Sequence, residues 1–224
     1  MKPGRVEVDR KVLDSIRNFY AAGLNYRAHI EWANSTLGAG YKVPAQADIG
    51  YRSPNALILS GEDIVIPKDS PGPVEFEGEL VAVIGKKIKN VSEKTVLQHI
   101  AGYTLGNDVS ERGWQKGDRT LWRAKNSDTF KPMGPVIVPG LDPTKLQIDV
   151  RINGKTASSY GTGGMIFGVA HFISRMSRYL TLHPGDVIWF GCDGPTIPAL
   201  KHGDLVEVVN DAIGVLSNRV IRAA

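Results

Sequence analysis

Cysteine is almost missing from this chain, since Cys192 is the only one among 224 residues. A single cysteine cannot form an internal disulfide, which excludes a small secreted scaffold held together by cross-links. A lone cysteine can serve as a nucleophile, but beside a strand end it is more often a small packed residue. Stability must then come from an apolar core, and the chain is long enough to bury one.

Long apolar segments are missing too. The chain contains no run of about 18 apolar residues, the length that a membrane-spanning helix needs. Residues 1–5 do not lead into the apolar segment of a secretory signal peptide. With the single cysteine, these absences lead us to expect a soluble protein of the cytoplasm with no membrane partner.

Charge of one sign is not concentrated anywhere. Lys and Arg total 27, Asp and Glu total 23, and the formal net charge is +4. The longest basic clusters, such as residues 86–89, are short and lie between apolar segments. A nucleic-acid-binding protein needs a concentrated basic face, so we expect no nucleic-acid partner. The small positive excess is compatible with a small anionic substrate.

Short apolar segments separated by turns predict a fold rich in strands. Residues 56–59, 63–66 and 187–190 are examples, while apolar residues recur at helical spacing most strongly over 165–180 and also after Ser92, at Val96, Leu97 and Ile100. The chain shows no internal repeat, and its length fits one domain. We predict one domain over residues 1–224, of the α+β class, in which a mixed, mostly antiparallel β-roll carries a few covering helices.

The segment from residue 27 to residue 52 has little core-forming character. It mixes polar residues with Gly38, Gly40 and Pro44, a composition typical of a loop. We therefore predict a flexible lid over about residues 29–48.

Carboxylates occupy every second position in the segment Glu75-Phe76-Glu77-Gly78-Glu79, which runs into the apolar residues 80–84. Residues i and i+2 of a strand point to the same face, so Glu77 and Glu79 would converge. Two carboxylates that close repel each other unless a cation lies between them or one binds a proton. The alternative is the solvated face of an edge strand, but such a face would stay polar beyond Glu79. We predict a site for a hard divalent ion such as Mg²⁺ or Mn²⁺.

A third carboxylate, Asp108, directly follows the predicted strand at residues 102–106. By itself it would be interpreted as an Asx turn or a helix cap. Paired with Glu77 and Glu79, it is a candidate third ligand for the same ion.

Six segments, in this order along the chain, resemble the fumarylacetoacetate hydrolase family. They are residues 23–29 (GLNYRAH), 77–80 (EGEL), 102–110 (GYTLGNDVS), 125–130 (KNSDTF) with Pro132 and Gly134-Pro135, 162–167 (TGGMIF) and 182–188 (LHPGDVI). Each segment is weak alone, but their order and spacing over about residues 19–222 make the resemblance specific. It implies the β-roll of that family's C-terminal domain, in a short single-domain member similar to acylpyruvate hydrolases and oxaloacetate decarboxylases. It also implies a homodimer.

The resemblance implies a chemistry as well. The family holds Mg²⁺ or Mn²⁺ through residues that match Glu77, Glu79 and Asp108, the set already reached from strand geometry. Its substrates are 2-oxo or 1,3-dioxo acids whose enolates the metal stabilises. We expect a metal-dependent hydrolase that cleaves a C–C bond in an acylpyruvate or a fumarylacetoacetate-like acid. A decarboxylase of an oxaloacetate-type diacid, and an isomerase or hydratase of 2-hydroxydienoates in aromatic catabolism, are the alternatives.

By the same resemblance, His29 is the general base and Lys125 stabilises charge on a developing oxyanion. Family hydrolases usually carry a glutamate three residues after this histidine, where this chain has Trp32. The acid nearby is Glu31, which would reach His29 in a non-helical lid and is our candidate for the orienting role. On a helix it would point elsewhere. This departure favours decarboxylation or tautomerisation, which need no activated water.

Three further residues are candidates for substrate binding. Arg52 stands where many family members have lysine, and either cation could meet a substrate carboxylate. Arg112 could do the same or pair with an internal acid. Thr162 matches a threonine that faces the substrate, although it could equally cap a following helix. The segment Gly191–Thr196 departs from the family pattern, so the resemblance assigns it no role.

Overall fold

The computed structural model describes residues 4–224, and strands dominate this part of the chain. In chain order the strands are β1 (Val6–Glu7), β2 (Phe19–Ala22), β3 (Ile49–Arg52), β4 (Leu57–Ile58), β5 (Ile64–Ile66), β6 (Val74–Glu75), β7 (Gly78–Ile84), β8 (Ile100–Asn107), β9 (Ser110–Glu111), β10 (Lys131–Val138), β11 (Gln147–Ile152), β12 (Lys155–Gly161), β13 (Val187–Trp189), β14 (Leu205–Asn210) and β15 (Gly214–Arg222). The α-helices are α1 (Arg10–Asp14), α2 (Arg27–Leu37), α3 (Glu93–Val96), α4 (Arg112–Gln115) and α5 (Val169–Tyr179).

Within residues 4–224 the strands form two large sheets and one small pair. The larger sheet has eight strands in the order β1-β10-β8-β7-β13-β2-β3, with β4 paired to β10. The second sheet has five strands in the order β12-β11-β14-β15-β5, and β6 pairs with β9. Most pairs are antiparallel, while β4–β10, β2–β13 and β5–β15 are parallel. The predicted α+β fold, rich in strands and mostly antiparallel, is confirmed.

Strand β7 lies inside the larger sheet and is buried on both faces. Leu80 and Ala82 belong to the main apolar core, which residues of both large sheets build. Val81 and Val83 belong to a second apolar cluster, to which α1 contributes Leu13. Because alternate residues of a strand point to opposite faces, burial of both faces explains the unbroken apolar run that follows the glutamates.

Gly78 marks a close approach between the two large sheets. A Cβ atom at this position would lie 2.5 Å from Cγ2 of Val150 in β11 and 3.1 Å from Cγ1 of Val208 in β14. The residue between Glu77 and Glu79 therefore faces the second sheet, while the two glutamates point to the opposite face. Glycine at this position lets the sheets pack while both glutamates remain on one side.

The helix predicted over residues 165–180 forms as α5, but it begins at Val169. Thr162–Gly164 form a 3₁₀ turn instead, and Gly168 is the N-cap of the helix. Glycines are poor helix formers, and three of them lie in the segment before Val169. The apolar stripe is buried as predicted.

None of the helices described between residues 4 and 224 is long and apolar enough to cross a bilayer.

The loop predicted for residues 27–52 is wrong over much of its length. The first part is helix α2, which ends at Gly38 in the left-handed conformation, and the last part is strand β3 at the edge of the larger sheet. Helix α2 buries Ile30 and Ala33, too few apolar residues to produce a clear periodic signal in the sequence. Residues 38–48 contain neither helix nor strand. The mobility of a lid over residues 29–48 stays a prediction.

Replacing Gly78 by alanine should destabilise the protein by about 1–3 kcal/mol, the usual cost of overpacking a filled core. The added methyl group would overlap Val150, and neither sheet can retreat without losing contacts. Gly168→Ala is the matched control, because Gly168 has negative φ and nothing within 4 Å of an added Cβ. Urea unfolding of both variants measures the difference. Equal stability of the two would contradict this account of the sheet packing.

Candidate metal centre and its pocket

Two neighbouring strands bring the predicted ligands together. β7 and β8 pair in antiparallel register with Glu79 opposite Gly106. Just beyond this ladder, the backbone amide of Asp108 donates a hydrogen bond of 2.8 Å to the carbonyl oxygen of Glu77. One carboxylate oxygen from each of Glu77, Glu79 and Asp108 lies within 4.8 Å of the others, and all three residues are buried. The convergence predicted from the spacing is confirmed.

Glu77 is held ionised by two cations. The Lys125 Nζ atom lies 2.7 Å from its Oε2 atom, and the Arg112 Nη2 atom lies 2.6 Å from its Oε1 atom. Burial opposes ionisation, but Lys125 and then Arg112 outweigh it and lower the pKa of Glu77 to about 2.

Asp108 is paired with three cations. Nη2 of Arg52 and Nζ of Lys125 each lie 2.9 Å from its Oδ2 atom, and Nζ of Lys131 lies 2.7 Å from Oδ1. Burial opposes ionisation, yet these cations together hold the pKa of Asp108 well below its usual range. Burial lowers the pKa of Lys131 to about 7, against the opposing pull of Asp108.

Glu79 differs from the other two acids, because no ion pair joins it to any described cation. Its Oε2 atom accepts a hydrogen bond of 2.7 Å from the backbone amide of Gly191. Burial raises the pKa of Glu79 well above its usual value, and repulsion from Asp108 and Glu77 adds to the shift. A divalent ion bound by the three carboxylates would remove this repulsion. The donor set, three buried carboxylates on one side of a cavity, fits a hard divalent ion.

Opposite charges around the centre are matched in number among the described residues. Four carboxylates and four cationic side chains form one network, in which ion pairs connect every member except Glu79, which lies beside Glu77 and Asp108. They are Glu75, Glu77, Glu79 and Asp108, with Arg52, Arg112, Lys125 and Lys131. With all eight groups charged, the surplus after binding of a divalent ion would be the two positive charges of the ion itself. The centre is therefore suited to attract an anion.

The three-carboxylate centre opens into a cavity of about 190 Å³. Glu77, Glu79, Arg52 and Lys125 line it together with His29. A second, outer cavity of about 800 Å³ adjoins it. Both are lined by His29, Tyr41, Arg112 and Gln115. The inner cavity therefore places three cations and one imidazole next to the candidate metal ligands.

The imidazole of His29 is oriented by the backbone. Its Nδ1 atom lies 2.9 Å from the carbonyl oxygen of Gly194. A carbonyl oxygen can only accept a hydrogen bond, so Nδ1 carries a proton, and in the neutral ring Nε2 keeps its lone pair. His29 can therefore accept a proton at Nε2.

Glu31 does not lie where an orienting carboxylate is needed. His29 and Glu31 both belong to helix α2, and Glu31 is exposed and lines neither cavity. A residue two positions further along a helix points in a different direction, so the non-helical lid that would bring Glu31 to His29 is wrong. The structure places the Gly194 carbonyl in the orienting position instead.

The structure distributes the other candidates unevenly. Arg52 lies in the inner cavity beside Asp108. Arg112 also reaches it, but its Nε, Nη1 and Nη2 atoms donate to Glu75, Gln115 and Glu77. Thr162 is buried, lines neither cavity, and exchanges hydrogen bonds with the backbone of residue 146 through its hydroxyl group.

Several contributors to the site were missed from the sequence. Lys131 carried a signal, because it is a lone charge at the start of the apolar segment 131–138. Glu75 was part of the alternating motif, but its pairing with Arg112 was not foreseen. The Gly191 amide and the Gly194 carbonyl have no sequence signal, since every residue except proline offers both groups.

Cys192 lines the inner cavity and packs against the main core. Burial raises the pKa of its thiol well above the ordinary value, and Glu77 and Glu79 add to the shift. A thiol that stays protonated is a poor nucleophile. Its surroundings therefore favour the packing role over the nucleophilic one.

Replacing Glu79 by Gln should stabilise the metal-free protein. The folded-state pKa of Glu79 lies above its ordinary value of 4.5, so above that pH unfolding releases a proton and stability falls as the pH rises. Glutamine has no such proton and keeps an acceptor for the Gly191 amide. In a chelator at neutral pH, the variant should unfold at a higher temperature than the wild-type protein.

Added metal should stabilise the wild-type protein more than the Glu79→Gln variant. Manganese at 100 times its dissociation constant should stabilise the wild-type protein by about 2.7 kcal/mol and Glu79→Gln much less. The control is Glu62→Gln, because a hydrogen bond from the Leu59 amide and then the neighbouring Arg10 outweigh burial and lower the pKa of Glu62. That variant should lose a little stability at neutral pH and keep the full metal response. A metal response of Glu79→Gln equal to that of the wild-type protein would remove Glu79 from the ligand set.

The comparisons with known proteins agree with this geometry. The family described as fumarylacetoacetate (FAA) hydrolase C-terminal matches residues 18–221. An uncharacterized protein of Methanocaldococcus jannaschii is 38% identical over 198 residues, which cover 88% of this chain and 80% of that protein. Oxaloacetate tautomerase YisK of Bacillus subtilis is 32% identical over 214 residues, or 91% of this chain and 69% of that protein.

A solved structure agrees as well. The 5-carboxymethyl-2-hydroxymuconate delta-isomerase of Mycobacterium smegmatis superposes with a TM-score of 0.82 at 34% identity, covering 93% of this chain and 78% of that one. The matched region includes Glu77, Glu79 and Asp108 together with strands β7 and β8. This chain belongs to the fumarylacetoacetate hydrolase family.

Proposed function

We propose that this protein is a divalent-metal-dependent enzyme that interconverts the keto and enol forms of a small 2-oxo dicarboxylate of the oxaloacetate type. The observation that carries the proposal is the orientation of His29 by a backbone carbonyl, next to a buried three-carboxylate centre. The relatives named as a tautomerase and an isomerase support it, since both names describe rearrangement without loss of any part of the substrate.

A bound Mg²⁺ or Mn²⁺ ion, held by Glu77, Glu79 and Asp108, would supply a Lewis acid that stabilises negative charge on a 2-oxo group. Lys125 contributes a second positive charge in the same cavity, and its ammonium is already fixed by ion pairs to Glu77 and Asp108. Such a preorganised cation stabilises an oxyanion without having to reorient during the reaction.

Charge and size select the substrate. The charged groups of the network balance, so a bound divalent ion leaves a surplus of two positive charges, which a dianion would neutralise. Arg52 also lines the inner cavity; its Nε and Nη2 atoms hold Asp108, so Nη1, which donates one hydrogen bond to the carbonyl oxygen of Tyr51, is the nitrogen left to meet a second carboxylate. The inner cavity of about 190 Å³ is smaller than the about 300–1,000 Å³ typical of drug-sized ligands. A short dicarboxylate suits both constraints.

His29 performs the proton transfer in this proposal. Its Nε2 atom takes a proton from the carbon next to the oxo group, and the imidazolium then delivers a proton to the oxygen of the resulting enolate to give the enol. The reverse transfers return the enol to the keto form, with no bond to water formed or broken. Neutral imidazole can carry out both steps near neutral pH. Nδ1 keeps its own proton throughout and donates it in the hydrogen bond to the Gly194 carbonyl oxygen.

Hydrolysis of a C–C bond in an acylpyruvate is the second candidate. The outer cavity favours it, because this cavity would admit water and a larger acyl group beside His29. The reaction needs a water molecule that His29 deprotonates and a C–C bond that breaks, whereas the relatives named as a tautomerase and an isomerase point to proton transfer alone. For this reason tautomerisation ranks first. Decarboxylation of an oxaloacetate-type diacid has the same charge requirement as its tautomerisation and is measured in the same assays. The homodimer stays a prediction.

His29→Ala should lower the rate of oxaloacetate enol-to-keto conversion by about 10²–10⁴, the usual effect of losing a general acid–base group. Loss of the enol absorbance in the presence of Mg²⁺ measures it, with a chelator as blank. His99→Ala is the matched control, since Nδ1 of His99 also lies near a backbone carbonyl, that of Thr95, but His99 lines neither cavity. It should keep full activity, as should Glu31→Gln.

Lys125→Met should also lose most of its activity, because the cation near the developing charge is removed. Release of pyruvate from an acylpyruvate, and from oxaloacetate with carbon dioxide, separates the candidate reactions. Turnover of the acylpyruvate faster than tautomerisation would reverse the ranking. Full activity of His29→Ala on every substrate would end its role as a proton carrier.

A further inference from the structure

The segment Gly191–Thr196, called here the 191–196 loop, touches the site at three points. The Gly191 amide donates to Glu79, the Gly194 carbonyl accepts from His29, and the Thr196 hydroxyl donates to Glu75. The first two contacts have been described above. The third leads through a chain of side chains to a metal ligand.

Three hydrogen-bonded contacts between side chains connect Thr196 to Glu77. The Thr196 Oγ1 atom lies 2.5 Å from Oε2 of Glu75, and the same oxygen accepts a bond of 2.8 Å from Nε of Arg112. Arg112 then donates from Nη2 to Oε1 of Glu77 at 2.6 Å. The remaining terminal nitrogen of Arg112, Nη1, donates to Oε1 of Gln115 at 2.7 Å. All three nitrogens of the guanidinium are therefore assigned, and its plane has a fixed direction.

We propose that Thr196 and Glu75 are positioning residues for the metal centre, because they fix Arg112 and thereby the carboxylate of Glu77. Arg112 holds Oε1 of Glu77, which leaves Oε2 directed to the side occupied by Lys125 and Asp108. The 191–196 loop thus determines the geometry of a ligand with which it shares no hydrogen bond. The proposal rests on the metal site of the proposed function, not on its reaction.

Burial makes this arrangement effective. Thr196 is 1% exposed and Glu75 is 6% exposed, so both lie in the wall of the outer cavity with little surface open to solvent. Removing one partner of a buried charged group leaves it undersatisfied. Glu75 also shares the charge of Arg112 with Glu77. Without Glu75, the whole charge of Arg112 would face Glu77 and compete with a metal ion for it.

The first test is Thr196→Val, which keeps the shape of the side chain and removes the hydroxyl group. The expected result is an about 10-fold higher dissociation constant for Mn²⁺, the scale of effects for outer partners of metal ligands. Calorimetric titration of metal-stripped protein measures it without any substrate. Thr196→Ser keeps the donor and should restore the wild-type value.

Thr104→Val is the matched control. Thr104 is fully buried, and its hydroxyl group has no hydrogen-bond partner. It lies in β8, four residues before Asp108. Its loss should leave the Mn²⁺ affinity unchanged. A rise in the dissociation constant for Thr104→Val equal to that for Thr196→Val would mean that any buried threonine has this effect, and would overturn the proposal.

A second variant, Glu75→Gln, tests the same chain at its middle and stands alone if Thr196→Val does not fold. It should also weaken Mn²⁺ binding about 10-fold. In the double variant, the loss of the Thr196 hydroxyl should add less than about twofold, because residues that act through one another are not additive. If the effects of the two substitutions on the dissociation constant multiplied independently, the positioning of Glu77 through Thr196, Glu75 and Arg112 would be overturned. Unchanged Mn²⁺ affinity in Glu75→Gln would overturn it as well.

The outcomes separate this inference from the proposed function. Wild-type protein that binds no Mn²⁺ would overturn both. Wild-type binding together with unchanged affinity in Thr196→Val and Glu75→Gln would overturn only the positioning role. Weaker binding in both variants, with rescue by Thr196→Ser, would support the relay whatever reaction the enzyme catalyses.

Discussion

The antiparallel pairing of β7 with β8 is the constraint on which the rest of the structure depends. Its register sets Glu79 opposite Gly106 and brings Asp108 beside Glu77. A shift of the register by one residue would turn one strand's side chains to the opposite face. The carboxylates would then point into the apolar core, at a large cost in free energy. Gly78 allows the second sheet to pack against this pair and so stabilises the register.

The register concentrates negative charge, and most of the surrounding polar structure compensates for it. Glu77 and Asp108 are each surrounded by cations, two of which, Lys125 and Lys131, are themselves almost fully buried. Glu79 alone receives a neutral backbone donor. A group left undercompensated in this way reduces the stability of the metal-free fold and increases the affinity for a cation. Glu79 therefore lowers the stability of the metal-free fold at the position where a cation would bind, a trade-off that is common at functional sites.

In the proposed function, the residues around the cavity, more than the three carboxylates, distinguish one reaction from another. A three-carboxylate centre can stabilise negative charge in isomerisation, decarboxylation or hydrolysis alike. The proposed reactions differ in whether water takes part, and in each of them the proton transfer is assigned to His29. The partner of His29 is the Gly194 carbonyl, in a loop that also reaches Glu79 and Glu75. One loop therefore connects the orientation of His29 to the geometry of the candidate metal ligands.

The sequence by itself determined the properties that depend on neighbouring residues. Alternation placed Glu77 and Glu79 on one face, apolar periodicity located α5, and ordered motifs identified the family. Helix α2 was missed because it buries only Ile30 and Ala33, too few for a periodic signal.

Only the tertiary structure decided how the site is completed. Thr196 and Glu75 are 121 positions apart in the chain, and no local pattern encodes such a contact. The partner of His29 is a backbone carbonyl, a group present at every residue, so nothing in the amino-acid type at position 194 announces it. Which of the many donors and acceptors meet is determined by the packing of the two sheets and the loops between them, and that packing depends on the whole chain at once.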